Sequence, residues 1–112
     1  MILTKEQALH IANGVMKYIS KKLNLEILEN KEILVEYSEN LLEWKKFNIE
    51  RGWDIIFPAY NFQFQNDEGF YSITINDETQ QPIYFINSTG GRSCVGFIKK
   101  SNEEKYYIDW QP

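Results

Sequence analysis

A chain of 112 residues, 43% hydrophobic and 15% aromatic, is long enough for one domain (1–112) with a core that needs no metal or disulfide. Its 12 basic and 16 acidic residues leave a net charge of −4, without the basic stripe that tracks a nucleic-acid backbone. The lone cysteine, Cys94, cannot close an internal disulfide, and no apolar run approaches the roughly 18–20 residues of a membrane span, so the expected location is the cytoplasm.

Met1-Ile2-Leu3-Thr4-Lys5-Glu6 has no basic region ahead of a long apolar run, so it reads as the approach to a helix and not as a secretory leader. Thr4 with Gln7 forms a capping-box pattern, and Leu3 with Ala8 a hydrophobic staple. Ala8, Ile11, Ala12, Val15, Ile19 and Leu23 then recur at helical spacing as one buried stripe. Lys21 and Lys22 suit the negative end of the helix dipole, and Asn24 is the expected stop. Gly14 suggests a close approach to a sheet.

Ile33–Tyr37 reads as a strand from its β-branched and aromatic content, with Ser38–Asn40 as a turn. In Leu41–Phe47, Leu42 and Trp44 alternate with charges while Leu41, Trp44 and Phe47 are spaced by three; the expectation is a strand. Trp53–Phe57 is a strand that Pro58 should stop at an edge or bulge. Phe70–Ile75 alternates, placing Tyr71, Ile73 and Ile75 on one face, and Pro82–Ile86 follows a polar turn. Cys94–Ile98 and Tyr106–Trp110 should pair as a hairpin. The fold class is therefore α+β: an N-terminal helix packed on one face of a curved, mainly antiparallel sheet of about five to seven strands.

Few residues suggest chemistry. His10 falls opposite the buried stripe and reads as a surface histidine, and Cys94 as a small buried hydrophobe, so no nucleophile–base pair is expected. Asp67, Glu68, Asp77 and Glu78 fall in two expected loops, without EF-hand spacing or histidine neighbours. They read as loop solvation or as contacts to a basic partner. Gly90-Gly91-Arg92-Ser93 lies between two strands, so it is a tight turn and not a phosphate cradle. Tyr60, Phe62, Phe64 and Phe70 bracket a Gln/Asn-rich segment, either as core members or as an exposed aromatic patch.

Three stretches resemble a known group. Leu3–Ala12 is similar to the first helix of small bacterial families that open on a "T-x-E-x-A" phrase. Arg51–Phe57 looks like their "G-W-x-F" strand, and Pro82–Gly91 resembles their "P-I-x-V … T-G" stretch. The resemblance is to immunity proteins of bacterial polymorphic toxin systems, in particular the immunity protein 35 (YrhB-like) group, with PepSY-like domains related in layout. It does not extend over Tyr60–Gly69. It implies a protein that binds and occludes a cognate toxin, with no catalysis and no cofactor.

The sequence reading is thus a toxin-binding immunity protein, not an enzyme, with no catalytic or metal-ligating residues and no nucleic-acid or membrane partner. Its expected partner-binding residues are Tyr60, Phe62, Phe64, Asp67, Glu68, Asp77 and Glu78. Two alternatives stay open. One is a ligand-binding or enzymatic domain with a pocket around Trp53, Tyr71 and Tyr84. The other is a homodimeric assembly subunit using an edge strand near Pro58.

Overall fold

The computed structural model describes residues 2–28, 31–61, 67–87, 94–103 and 105–110; of Glu43, Asn61, Asp67, Glu68 and Cys94 it describes the backbone alone. Helix α1 (Lys5–Leu23) opens on the capping box: the Gln7 amide donates to Thr4 Oγ1 at 3.1 Å and the Thr4 amide to Gln7 Oε1 at 2.9 Å. It ends where Asn24 turns left-handed at φ 58°. Ala8, Ala12, Val15, Met16 and Ile19 are buried along it. Gly14 departs from expectation, because a Cβ built there would meet nothing within 4 Å.

Seven strands follow among the described residues: β1 (Leu25–Ile27), β2 (Leu34–Glu39), β3 (Arg51–Asn61), β4 (Asp67–Asn76), β5 (Gln81–Asn87), β6 (Cys94–Lys100) and β7 (Tyr106–Trp110). They form one curved antiparallel sheet in the order β1-β3-β4-β5-β6-β7, with β2 also pairing with β3. The expected hairpin of the last two strands is present. Period-two alternation sends Trp53, Ile55, Phe57 and Ala59 of β3 and Tyr71, Ile73 and Ile75 of β4 to the side that α1 covers, with Phe85 and Ile98 beside them.

Two expectations fail. Leu42–Phe47 is a 3-10 helix and not a strand. Residues three apart eclipse in such a helix. Leu41 and Phe47 therefore pack with the buried Trp44, while Leu42 is 79% exposed. Nor does Pro58 end its strand, since β3 runs through it to Asn61. Its carbonyl accepts from the Leu28 amide at 2.9 Å. In a strand, N and O of one residue point the same way. The missing N–H thus faces the break between β1, which pairs with 59–61, and β2, which pairs with 51–56. With β4 on its other side, β3 is interior, which removes the expected dimerising edge at Pro58.

Candidate functional site: the open face of the sheet

Alternation that fills one face leaves the other facing away from α1. On that outer face the ladder aligns Leu34, Ile56, Ser72, Ile86 and Val95 in one row across β2 to β6. At about 4.8 Å per strand the row spans roughly 19 Å. Phe70, two residues along β4 from Ser72 and opposite Pro58, adds an aromatic ring that is 58% exposed. Leu34 is 45% exposed, while Ile56, Ile86 and Val95 are half-buried.

The 3-10 helix bounds this row at its β5–β6 end. Trp44 sits there because Gly52 has no side chain: a Cβ would lie 2.7 Å from the Ile75 carbonyl oxygen and 3.0 Å from Trp44 Cζ3. Trp44, Ile49 and Tyr84 form a second small core, and the Phe47 ring lies 4.8 Å from that of Tyr84 and 5.4 Å from that of Phe97. Between helix and sheet a cleft of about 160 Å³ is lined by Lys46, Phe47, Tyr84, Ile86 and Val95. It continues the apolar row into a recess of side-chain size.

The other end of the face is acidic. Glu36 and Asp54 stand opposite each other in the β2–β3 ladder. Glu36 is exposed and Asp54 half-buried, so this end of the face presents negative charge. Asp54 also accepts from Thr74 Oγ1 at 2.6 Å. Because α1 carries Lys5, Lys17, Lys21 and Lys22 against Glu6 alone, the sheet and loops hold the chain's net negative charge.

The residues expected to contact a partner do not form one surface. Tyr60 is half-buried on β3, opposite Glu68 in the ladder. Asp67 and Glu68 lie in β4 and not in a loop. Phe62 and Phe64 fall outside the described residues, as do Gly90 to Ser93. Asp77 and Glu78 lie at the far end of β4, roughly 33 Å from Asp67 at the usual strand rise. Glu78 is exposed and pairs with Arg51 at 3.8 Å.

Asp77 is the clear correction. Its side chain is fully buried, not presented. The carboxylate accepts from the Ile2 amide at 2.6 Å, the Leu3 amide at 2.9 Å and Trp53 Nε1 at 3.0 Å. Burial pushes this carboxyl upward, but the Ile2 and Leu3 amides and then the Trp53 indole outweigh it and hold it below the usual aspartate range. Asp77 is therefore an internal clamp between the segment before α1 and the sheet.

Trp53 and Tyr71 belong to the core under α1, and Tyr84 to the second core, so the three do not line a common pocket. His10 is exposed on α1, and the described residues hold no group of three or more His, Cys, Asp or Glu able to grip a metal ion. No helix among them is long and apolar enough to cross a membrane. The row Leu34, Ile56, Ile86 and Val95 went unread in the sequence, although placing Tyr71, Ile73 and Ile75 on one face already put Phe70 on the other. No family model, curated protein or solved structure matches the chain.

Proposed function

We propose that this chain is an immunity protein that binds a cognate bacterial toxin through the open face of its sheet and neutralises it by occlusion. The supporting observation is the apolar surface of exposed Leu34 and Phe70 around half-buried Ile56, which runs into a side-chain-sized cleft at one end and faces Glu36 and Asp54 at the other. Protein interfaces draw most of their energy from a few desolvated anchors seated in such recesses. The complementary partner offers an apolar or aromatic anchor to the Phe47–Ile86–Val95 cleft and basic side chains to the carboxylates. The resemblance of Leu3–Ala12, Arg51–Phe57 and Pro82–Gly91 to toxin immunity families supplies the biological role.

The test is capture of partners by the tagged chain from its native lysate, followed by expression of the captured protein with and without it. The expected result is one stoichiometric partner that stops growth alone and is harmless when the chain is co-produced. A partner that is harmless alone, or equally toxic in both cases, would contradict the proposal.

A further inference from the structure

Among the described residues β7 pairs with β6 alone, so it closes one side of the sheet. The Ser101 amide donates to the Lys105 carbonyl at 2.9 Å, and this sets the phase of the ladder. Hydrogen-bonded and non-bonded pairs alternate in an antiparallel ladder. Tyr107 and Asp109 therefore bond to β6, while the N–H and C=O groups of Tyr106, Ile108 and Trp110 point out of the sheet edge.

Natural edge strands usually carry a charge, a proline, a bulge or a cover. The opposite side of this sheet follows that pattern: it is broken into the three residues of β1 and the six of β2, and exposes Glu26, Glu36 and Glu39. β7 does not. Its single charge, Asp109, is held by Lys99 at 3.0 Å, and Tyr107 and Trp110 are 37% and 41% exposed. Gly96 leaves room for Ile108 and Trp110 to lean across β6, and the Trp110 ring meets Phe85 edge-on at 6.0 Å.

We infer that β7 is the interface of a homodimer, in which two copies pair their β7 strands antiparallel about a two-fold axis at Ile108. The occupant is a second copy because the strand is complementary to itself in this register. Tyr106 meets Trp110 of the second copy and Ile108 meets its own counterpart, so every outward-pointing amide and carbonyl finds a partner, in about six hydrogen bonds. On the outer face Tyr107 meets Asp109 of the second copy, so along the paired strands no like charges face each other. An axis normal to the sheet keeps the two helices on one side and both open faces on the other. The dimer is one continuous sheet presenting two docking faces side by side.

The full chain is measured by sedimentation equilibrium at high micromolar concentration, as wild type, Tyr107→Asp, and Tyr107→Asp with Asp109→Asn. The inference requires a wild-type mass twice the 13.3 kDa of the chain. Within one copy an aspartate at 107 faces Lys99 in the ladder and leaves the fold intact. Across the axis it meets Asp109 twice, weakening the dimer by about tenfold. Asp109→Asn removes that repulsion and restores the dimer. Hydrogen exchange of wild type should show the Tyr106, Ile108 and Trp110 amides protected in the dimer. A wild-type monomer, a dimer indifferent to Tyr107→Asp, or a loss that Asp109→Asn does not reverse would each overturn the inference.

Discussion

Asp77 lies in the turn between β4 and β5, where sequence reads a solvated carboxylate, yet it has no exposed surface and takes hydrogen bonds from two backbone amides and an indole. Its local pattern, Asn76-Asp77-Glu78-Thr79, carries no sign of this, because the donors come from residues 2, 3 and 53. Long-range satisfaction of a buried group is invisible to neighbour-based reading. Asp77→Asn should cost about 2–4 kcal/mol at pH 7, measured by urea unfolding. The folded carboxyl lies below its unfolded value of about 3.9, so its contribution is whole above that pH and is lost as pH falls through the folded value. The gap between wild type and variant should therefore narrow below about pH 4. A gap of the same size at pH 7 and pH 3 would rule out the charged clamp. Gly14 makes the opposite case. With open space around it and a helical position, Gly14→Ala should stabilise by about 1 kcal/mol in the same assay. A loss of stability there would show a packing role that the geometry does not contain.

The elements differ in how far their residues announce them. The bounds of α1 and most of its stripe were legible, since capping box, apolar spacing and an asparagine stop are local signals. Met16, however, is buried where the stripe did not include it, and Ile11 and Leu23 are only half-buried. The Phe70–Ile75 part of β4 and strands β5 to β7 were legible from alternation and turn residues. Tyr71, Ile73 and Ile75, read as sharing one face, share the buried one, whereas Asp67 and Glu68 of β4 were read as loop. Leu41–Phe47 was not legible, because seven residues can satisfy period two and period three together. Tertiary docking of Trp44 on Gly52 decides in favour of the 3-10 helix. Gly52→Ala should therefore destabilise the protein by about 1–3 kcal/mol and displace Trp44, moving its indole resonance in NMR spectra. An unchanged Trp44 resonance would mean that the helix is held from elsewhere. Pro58 shows the limit of a residue rule: its missing donor falls at a break between neighbours that no local pattern reveals.

At the scale of the molecule, one helix covers one face of the sheet, and the 3-10 helix covers part of the other. What stays open joins apolar side chains from β2, β3, β4, β5 and β6, which no single segment displays as a motif. The sequence reading placed binding on acidic and aromatic loops, but those of its residues that are described are divided between the two ends of β4, and one of them is buried. Phe70, singled out for its aromatic segment, is the residue that connects the two readings. The most direct measurement is a calorimetric titration of the captured toxin with Phe70→Asp and with Glu78→Ala. Phe70 is 58% exposed and Glu78 holds only a surface ion pair, so both variants should fold to within about 0.5 kcal/mol of wild type. The account predicts that Phe70→Asp weakens binding by about a hundredfold while Glu78→Ala changes it by less than about twofold. Binding that survives Phe70→Asp but fails with Glu78→Ala would place the interface on the β4–β5 turn and contradict the open face as the docking surface.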